Sequence, residues 1–211
     1  FGATMGQGVI WYTGQFYAMS YLERVMSISP EQVISILVTA LFFGTPFFIL
    51  FGWLSDKIGR KTVMMTGMLV AILAYRPIYE KMYQTANIAN KVEILDKAEF
   101  KAEFKDVNGV QDSVYTAHRY FEDGTYLKET KIVHLVNGVA KVVDGKRAGV
   151  KSKVVEVSSS DRWKLTLLVF IQVLFVTMVY GPIAAFLVEL FPVNIRYTSM
   201  SLPYHIGNGI F

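Results

Sequence analysis

Three runs of sequence without a charged residue constrain this chain more than anything else in it. They are Gln32 to Ser55, Thr62 to Tyr75 and Leu165 to Val188. The first and third are each 24 residues long. A helix needs about 20 predominantly apolar residues to cross the hydrocarbon core of a bilayer. A bilayer offers backbone amides and carbonyls no water, so such runs fold as helices that satisfy their own hydrogen bonds. Charged residues make up only 18% of the 211 residues, against about 25% in soluble domains. They are also concentrated: residues 87–162 hold 13 of the 21 Lys/Arg and 12 of the 17 Asp/Glu. The pattern predicts an all-α polytopic membrane protein with a polar insert. Residues 1–86 form three spans, 87–162 the insert, and 163–211 a fourth span and the start of a fifth.

The net charge of +4 does not point to nucleic acid. The insert is close to neutral, and no basic stripe is interleaved with aromatics. The absence of cysteine excludes disulfides and thiolate metal sites. No basic segment followed by a short apolar run marks a signal peptide. The sequence opens and closes in apolar stretches, as a piece of a longer protein would.

The first predicted helix, Phe1 to Leu22, is unusually polar and aromatic for a span, with Gln7, Trp11, Tyr12, Thr13, Gln15, Tyr17 and Ser20. Polar groups in a bilayer need partners or water. This face therefore either makes interhelical hydrogen bonds beside an interfacial aromatic belt or lines a cavity. Gly2 and Gly6 have the spacing of close helix contacts. Pro30 suits the first turn of the second helix, with Ser29 as its cap. Pro46 removes a backbone donor and predicts a kink there, as a hinge or a packing device. In the third helix Arg76–Pro77 predicts a polar, bent far end. Arg76 either snorkels or pairs at the interface, or is a buried functional group. Trp163 and Lys164 anchor the fourth helix, and Gly181–Pro182 predicts a break or bend near its end.

The insert contains four turn dipeptides: Asn108–Gly109, Asp123–Gly124, Asn137–Gly138 and Asp144–Gly145. Asn-Gly and Asp-Gly favour tight hairpin turns. Ile132–Val136, Val139–Val143 and Val150–Val157 have strand character. They predict a small α+β or mainly β subdomain with a three-stranded meander over about 125–157. Such a unit is marginal alone, so the helices are expected to steady it. Lys91 to Lys105 is ambiguous between helix and strand. His118 and His134 have no third partner in the pattern, so surface or structural roles are expected and no metal site is.

The loop between the second and third helices carries Lys57, Arg60 and Lys61 against Asp56. Positive residues in short loops favour the cytoplasmic side. That side then also holds the Phe191–Arg196 loop, and the insert falls outside. The insert's lysines do not oppose this, because long loops translocate largely regardless of charge.

The stretch Gly52 to Lys61, GWLSDKIGRK, resembles the signature loop of the major facilitator superfamily, on Gly52, Asp56, Lys57, Gly59, Arg60 and Lys61. WYTGQFYAMSYL, FFGTPFFILFGWLSDKIGRK and YGPIAAFLVELFPVNIRYTSMSLPYHIGNGIF resemble the C-terminal half of its metabolite:proton symporter branch, which includes proline/betaine, α-ketoglutarate, citrate and shikimate permeases. The resemblance covers about 1–86 and 163–211; the insert resembles nothing nameable. It implies half of a major facilitator bundle, spans seven to ten and part of an eleventh. It also implies a multi-pass protein of the bacterial inner membrane, partnered by the lipid bilayer and by the N-terminal half of the same transporter. The insert becomes a periplasmic loop, and a proton gradient, with no cofactor, drives transport. Asp56 and Arg60 sit one helical turn apart, and Glu189 and Arg196 resemble the family's Glu-x6-Arg element. The four are expected to form a cytoplasmic latch that breaks when the cavity opens inward. Ordinary topology-setting charge is the alternative.

Candidate substrate contacts are the polar or aromatic residues of otherwise apolar helices: Gln7, Trp11, Tyr12, Gln15, Tyr180, His205 and Asn208. Histidine as a residue type can carry protons near physiological pH, so His205 is a candidate proton carrier, although a position just after Pro203 also suits capping. The function expected is symport of a small organic metabolite, a carboxylate or zwitterionic osmolyte. The rival is a membrane sensor whose insert binds a ligand. An enzyme is disfavoured: no Ser-His-Asp set, metal spacing or phosphate loop is present.

Overall fold

The structure is a computed structural model that describes residues 2–107, 110–136, 139–140, 142–143, 146–147 and 149–209. Three helical stretches are long and apolar enough to cross a membrane: Pro30–Ile58, Arg60–Ala86 and Ser159–Glu189. The chain is accordingly a membrane protein by its helices. Phe42, Ile49, Ile72 and Leu73 are about 70–80% exposed, an apolar exterior that suits lipid and not water.

The first segment is helical but not a uniform α-helix. α1 (Gly2–Tyr12) passes into a π-helical turn at Thr13–Tyr17, a short α2 (Ala18–Ser20) and a second π-helical turn at Tyr21–Val25. α3 (Pro30–Gly44) and α4 (Pro46–Ile58) are the two halves of the second span, parted at Thr45. The break has the cause expected of Pro46, which has no amide for the ladder. Just before Pro46, the Thr45 amide and hydroxyl both donate to the Leu41 carbonyl, at 2.9 and 2.8 Å. Ser29 precedes Pro30 as expected, but its side chain makes no capping hydrogen bond.

Two other helix prolines do not end their helices. α5 (Arg60–Ala86) runs through Pro77, and α6 (Ser159–Glu189) runs through Pro182, both without interruption. The side of Pro182 explains part of this: it is buried in the bundle, and neighbouring helices can steady a missing hydrogen bond. Arg76 is exposed on α5. After α6 a 3₁₀ turn (Val193–Ile195) leads into α7 (Arg196–Gly209).

α6 is the central helix. Leu165, Val169, Val173, Val176 and Val179 form a buried stripe at three- and four-residue spacing. Ile36 and Ala40 of α3, and Ala71, Ile78 and Met82 of α5, pack into the same core. Glycines let the neighbours approach. A Cβ on Gly44 would lie 2.4 Å from Val173, and one on Gly181 would lie 3.1 Å from the Phe48 carbonyl oxygen of α4. Gly6 sits against Met68, whereas Gly2 has open space around it, so only one of the two N-terminal glycines serves close packing.

The insert is mainly β. Two 3₁₀ turns (Ile88–Asn90, Leu95–Lys97) precede β1 (Glu99–Val107), β2 (Val110–Tyr120) and β3 (Tyr126–Val136). β4 (Val139–Ala140), β5 (Val142–Val143) and β6 (Lys146–Arg147) are two residues each, and β7 (Gly149–Glu156) ends the set. β1, β2 and β3 pair antiparallel in sequence order, and both β4 and β7 pair with β3. The meander therefore spans 99–136, not 125–157. Ile132 and Val133 pair with Val150 and Gly149 of β7, while Leu135 and Val136 pair with Ala140 and Val139, so the expected pairing of Ile132–Val136 with Val139–Val143 is made over two residues. The ambiguous segment Lys91–Lys105 yields the start of β1; periodicity alone did not separate the states, because its charged and apolar residues fit either. Of the four turn dipeptides, Asp123–Gly124 joins β2 to β3 with Gly124 at φ +85°. Asn108–Gly109, Asn137–Gly138 and Asp144–Gly145 lie outside the described residues.

The helices do steady the sheet. Met26–Ser29 runs alongside β7: the Ser29 amide donates to the Val155 carbonyl at 2.9 Å, and the Val155 amide to the Ser27 carbonyl at 2.8 Å. The Gln32 side chain bonds both the amide and the carbonyl of Val157. Phe121, Leu127, Val155 and Val157 join one continuous core with Leu22, Met26 and Ile28.

Candidate functional site

Two clusters hold the residues singled out above, at and above the end of the helices remote from the sheet. α4 ends at Gly59, whose φ of +98° is a left-handed-side conformation that favours glycine. The turn reverses the chain directly into α5 with Arg60 at its first residue. Arg60 Nη2 lies 3.1 Å from Asp56 Oδ1 and 3.1 Å from Glu189 Oε1 at the end of α6. One guanidinium nitrogen thus joins three helix ends. Lys57 Nζ stands over the Trp53 ring at 3.9 Å, a cation–π contact. Arg196 does not share the cluster. Its Nε donates to the Phe191 carbonyl at 3.1 Å, stapling the loop before α7. The expected four-residue network is a three-residue one in this conformation.

The second cluster lies in the bundle where α1, α4, α6 and α7 meet. Trp11 and Tyr180 rings sit 4.9 Å apart, Phe48 meets Tyr180 edge-on at 6.2 Å, and the Tyr180 and Tyr204 hydroxyls are 3.2 Å apart. Gln7, one turn before Trp11, is 2% exposed; its amide lies against the Tyr180 hydroxyl within hydrogen-bonding range, though not in full hydrogen-bond geometry. A buried amide that is only partly satisfied retains hydrogen-bonding capacity. The structure thus brings together Gln7, Trp11 and Tyr180. It does not bring in the others. Tyr12 is half-exposed and packs on Phe16, Gln15 is half-buried, and His205 is exposed with its ring against Tyr204. The Asn208 side chain lies outside the described residues.

Several residues were missed. Tyr75 and Tyr79, one turn apart on α5, donate to the Ile10 carbonyl at 3.2 Å and the Thr13 carbonyl at 2.7 Å. These carbonyls lie where α1 changes to π-helical periodicity and its amide ladder is disturbed. The i, i+4 tyrosine pair was visible in the sequence; its target was not. Gln172 is fully buried in α6 with its Oε1 unpartnered and Nε2 only 3.5 Å from Met82 Sδ and the Leu168 carbonyl. As a lone amide in the run Leu165–Val188 it could have been flagged.

At the opposite end, Lys91 is buried and donates to Asp123, to Asp161 and to Thr125 Oγ1 at 2.8 Å. It ties the β2–β3 turn to the first turn of α6. Burial pushes the Asp123 carboxyl up, but hydrogen bonds from Lys91 and Thr125 outweigh this and hold it below the usual value. His118 bonds the Tyr126 hydroxyl, and no group of metal-ligating side chains occurs among the described residues. The His134 side chain lies outside them. No known protein family, no curated protein and no solved structure matches the chain.

Proposed function

We propose that this chain is part of a secondary active transporter of the major facilitator type, in its metabolite:proton symporter branch. It moves a small organic metabolite, a carboxylate or a zwitterionic osmolyte, by alternating access. The observation that carries this reading is the Arg60 bridge. The loop motif Gly52–Lys61 supplies two of its members, and Glu189, 129 positions later than Arg60, supplies the third. Breakable charge pairs across helix ends are what a bundle needs if it rocks about a midplane site. With the pairs made, that end is held closed; with them broken, it can open.

In this scheme Gln7, Trp11 and Tyr180 face the substrate, and the Gln7 amide, only partly satisfied by Tyr180, gains further hydrogen bonds from it. The N-terminal half of the transporter supplies the second bundle. The protein resides in the bacterial inner membrane, with residues 87–162 on the periplasmic side. The test compares Arg60→Ala and Arg60→Lys with the unaltered full-length protein. A Tyr204→Cys probe is labelled from the cytoplasmic side by a membrane-impermeant thiol reagent. The reading requires faster labelling in Arg60→Ala, with partial restoration by lysine. Equal labelling in all three would count against it.

A further inference from the structure

The sheet carries a second candidate site, remote from the bundle and independent of the transport reading. Antiparallel register puts Phe100, Ala117, Glu129 and Lys153 in one row and Ala102, Tyr115, Lys131 and Lys151 in the next. Residues two apart along a strand share a face, so both rows lie on the same side of the sheet. Ala102 and Ala117 leave space between the larger side chains, and a hollow of about 530 Å³ results, the size of a small-molecule pocket. Phe100 is 72% exposed and Tyr115 49% exposed beside it, an apolar platform left open to solvent.

The charges make the hollow unusual. Lys131 and Lys151 are direct cross-strand partners, and like charges directly opposite each other destabilise a sheet. Lys153 adds a third ammonium to the same face, against one carboxylate, Glu129. Among the described residues none of these three lysines forms an ion pair; the sheet's pairs are made elsewhere, by Lys101 with Glu99 and Arg119 with Glu93. An unrelieved Lys131–Lys151 pair beside exposed aromatic surface is what an anion with an apolar body would relieve.

We propose that this hollow binds a small organic carboxylate whose aromatic or apolar body rests on Phe100 and Tyr115 and whose carboxylate lies between Lys131 and Lys151. The probe is 4-fluorobenzoate, added to the full-length protein in nanodiscs of neutral lipid and followed by ¹⁹F line broadening. The expected result is broadening that weakens with salt and falls at least tenfold in affinity in the Lys131→Gln/Lys151→Gln variant, with neutral 4-fluorobenzamide left sharp. The single Lys151→Gln change removes a repulsion and is expected to keep the sheet folded. Should the double variant unfold, Phe100→Ser, which leaves every lysine in place, is expected to weaken binding by itself. Absence of broadening, equal broadening by the benzamide, or unchanged affinity in the folded variants would overturn the proposal.

Discussion

Arg60 and Glu189 lie 3.1 Å apart across the ends of α5 and α6, so the loop motif and a helix terminus far along the chain share one contact. Asp56 completes the cluster from α4 at 3.1 Å. Both carboxylates are more than half exposed, and an exposed pair is worth at most about 1 kcal/mol. Weak pairs suit a contact that must open and close. Glu189→Gln is expected to shift the closed-to-open ratio by roughly fivefold, in the range set by one such pair, without lowering thermal stability. Cytoplasmic accessibility of a probe at Tyr204 measures the shift.

Gly181 tests the packing of α6 on α4. A Cβ there would lie 3.1 Å from the Phe48 carbonyl oxygen and 3.4 Å from the Gly52 amide nitrogen. Both neighbours are backbone and cannot rotate away. Gly181→Val is expected to destabilise the protein by about 1–3 kcal/mol. Thermal unfolding in detergent measures it, with an equal or higher midpoint as the contrary result.

Lys91 tests the joint between sheet and helices. Lys91→Met leaves Asp123 without its cation and facing Asp161, which keeps only Lys164 at 2.9 Å. Removing one partner of a buried pair costs about 3–5 kcal/mol, reduced here because Asp123 is partly exposed. The expected outcome is faster proteolysis of 92–158 with the helical core intact.

The same joint predicts an acid dependence. The folded Asp123 value is lowered, so its contribution is fully present above the ordinary carboxyl value of about 3.9. It is lost as pH falls through the lowered folded value. The opening of the β2–β3 turn, read as hydrogen-exchange protection corrected for the pH dependence of the intrinsic rate, is expected to be flat from neutrality to about pH 5 and to increase only below about pH 4.

Much of this architecture was legible because bilayer helices announce themselves by length and lack of charge. The runs Gln32–Ser55 and Leu165–Val188 became α3–α4 and α6 close to the expected limits. Pro46 was legible since a missing amide acts locally. That α6 continues through Pro182 was not, because neighbouring helices decide whether a proline interrupts. The sheet order was hidden for a similar reason: Val150–Val157 resembles any strand, and its choice of β3 depends on where the chain returns. Asp56 with Arg60 was readable from i, i+4 spacing. Glu189 joined them as expected, whereas Arg196 turned to a carbonyl only five residues away. The placement of Gln7 against Tyr180 and the hydroxyls that Tyr75 and Tyr79 send to α1 are tertiary facts with no local sign.

The central claim is that the full-length protein couples solute movement to protons. It is tested most directly in proteoliposomes containing a trapped pH dye, with organic carboxylates and zwitterionic osmolytes added in turn from outside. The account predicts that at least one solute drives internal acidification, abolished by a protonophore and slowed at least tenfold by Gln7→Leu. A folded, correctly inserted protein through which none of these solutes moves protons would contradict it.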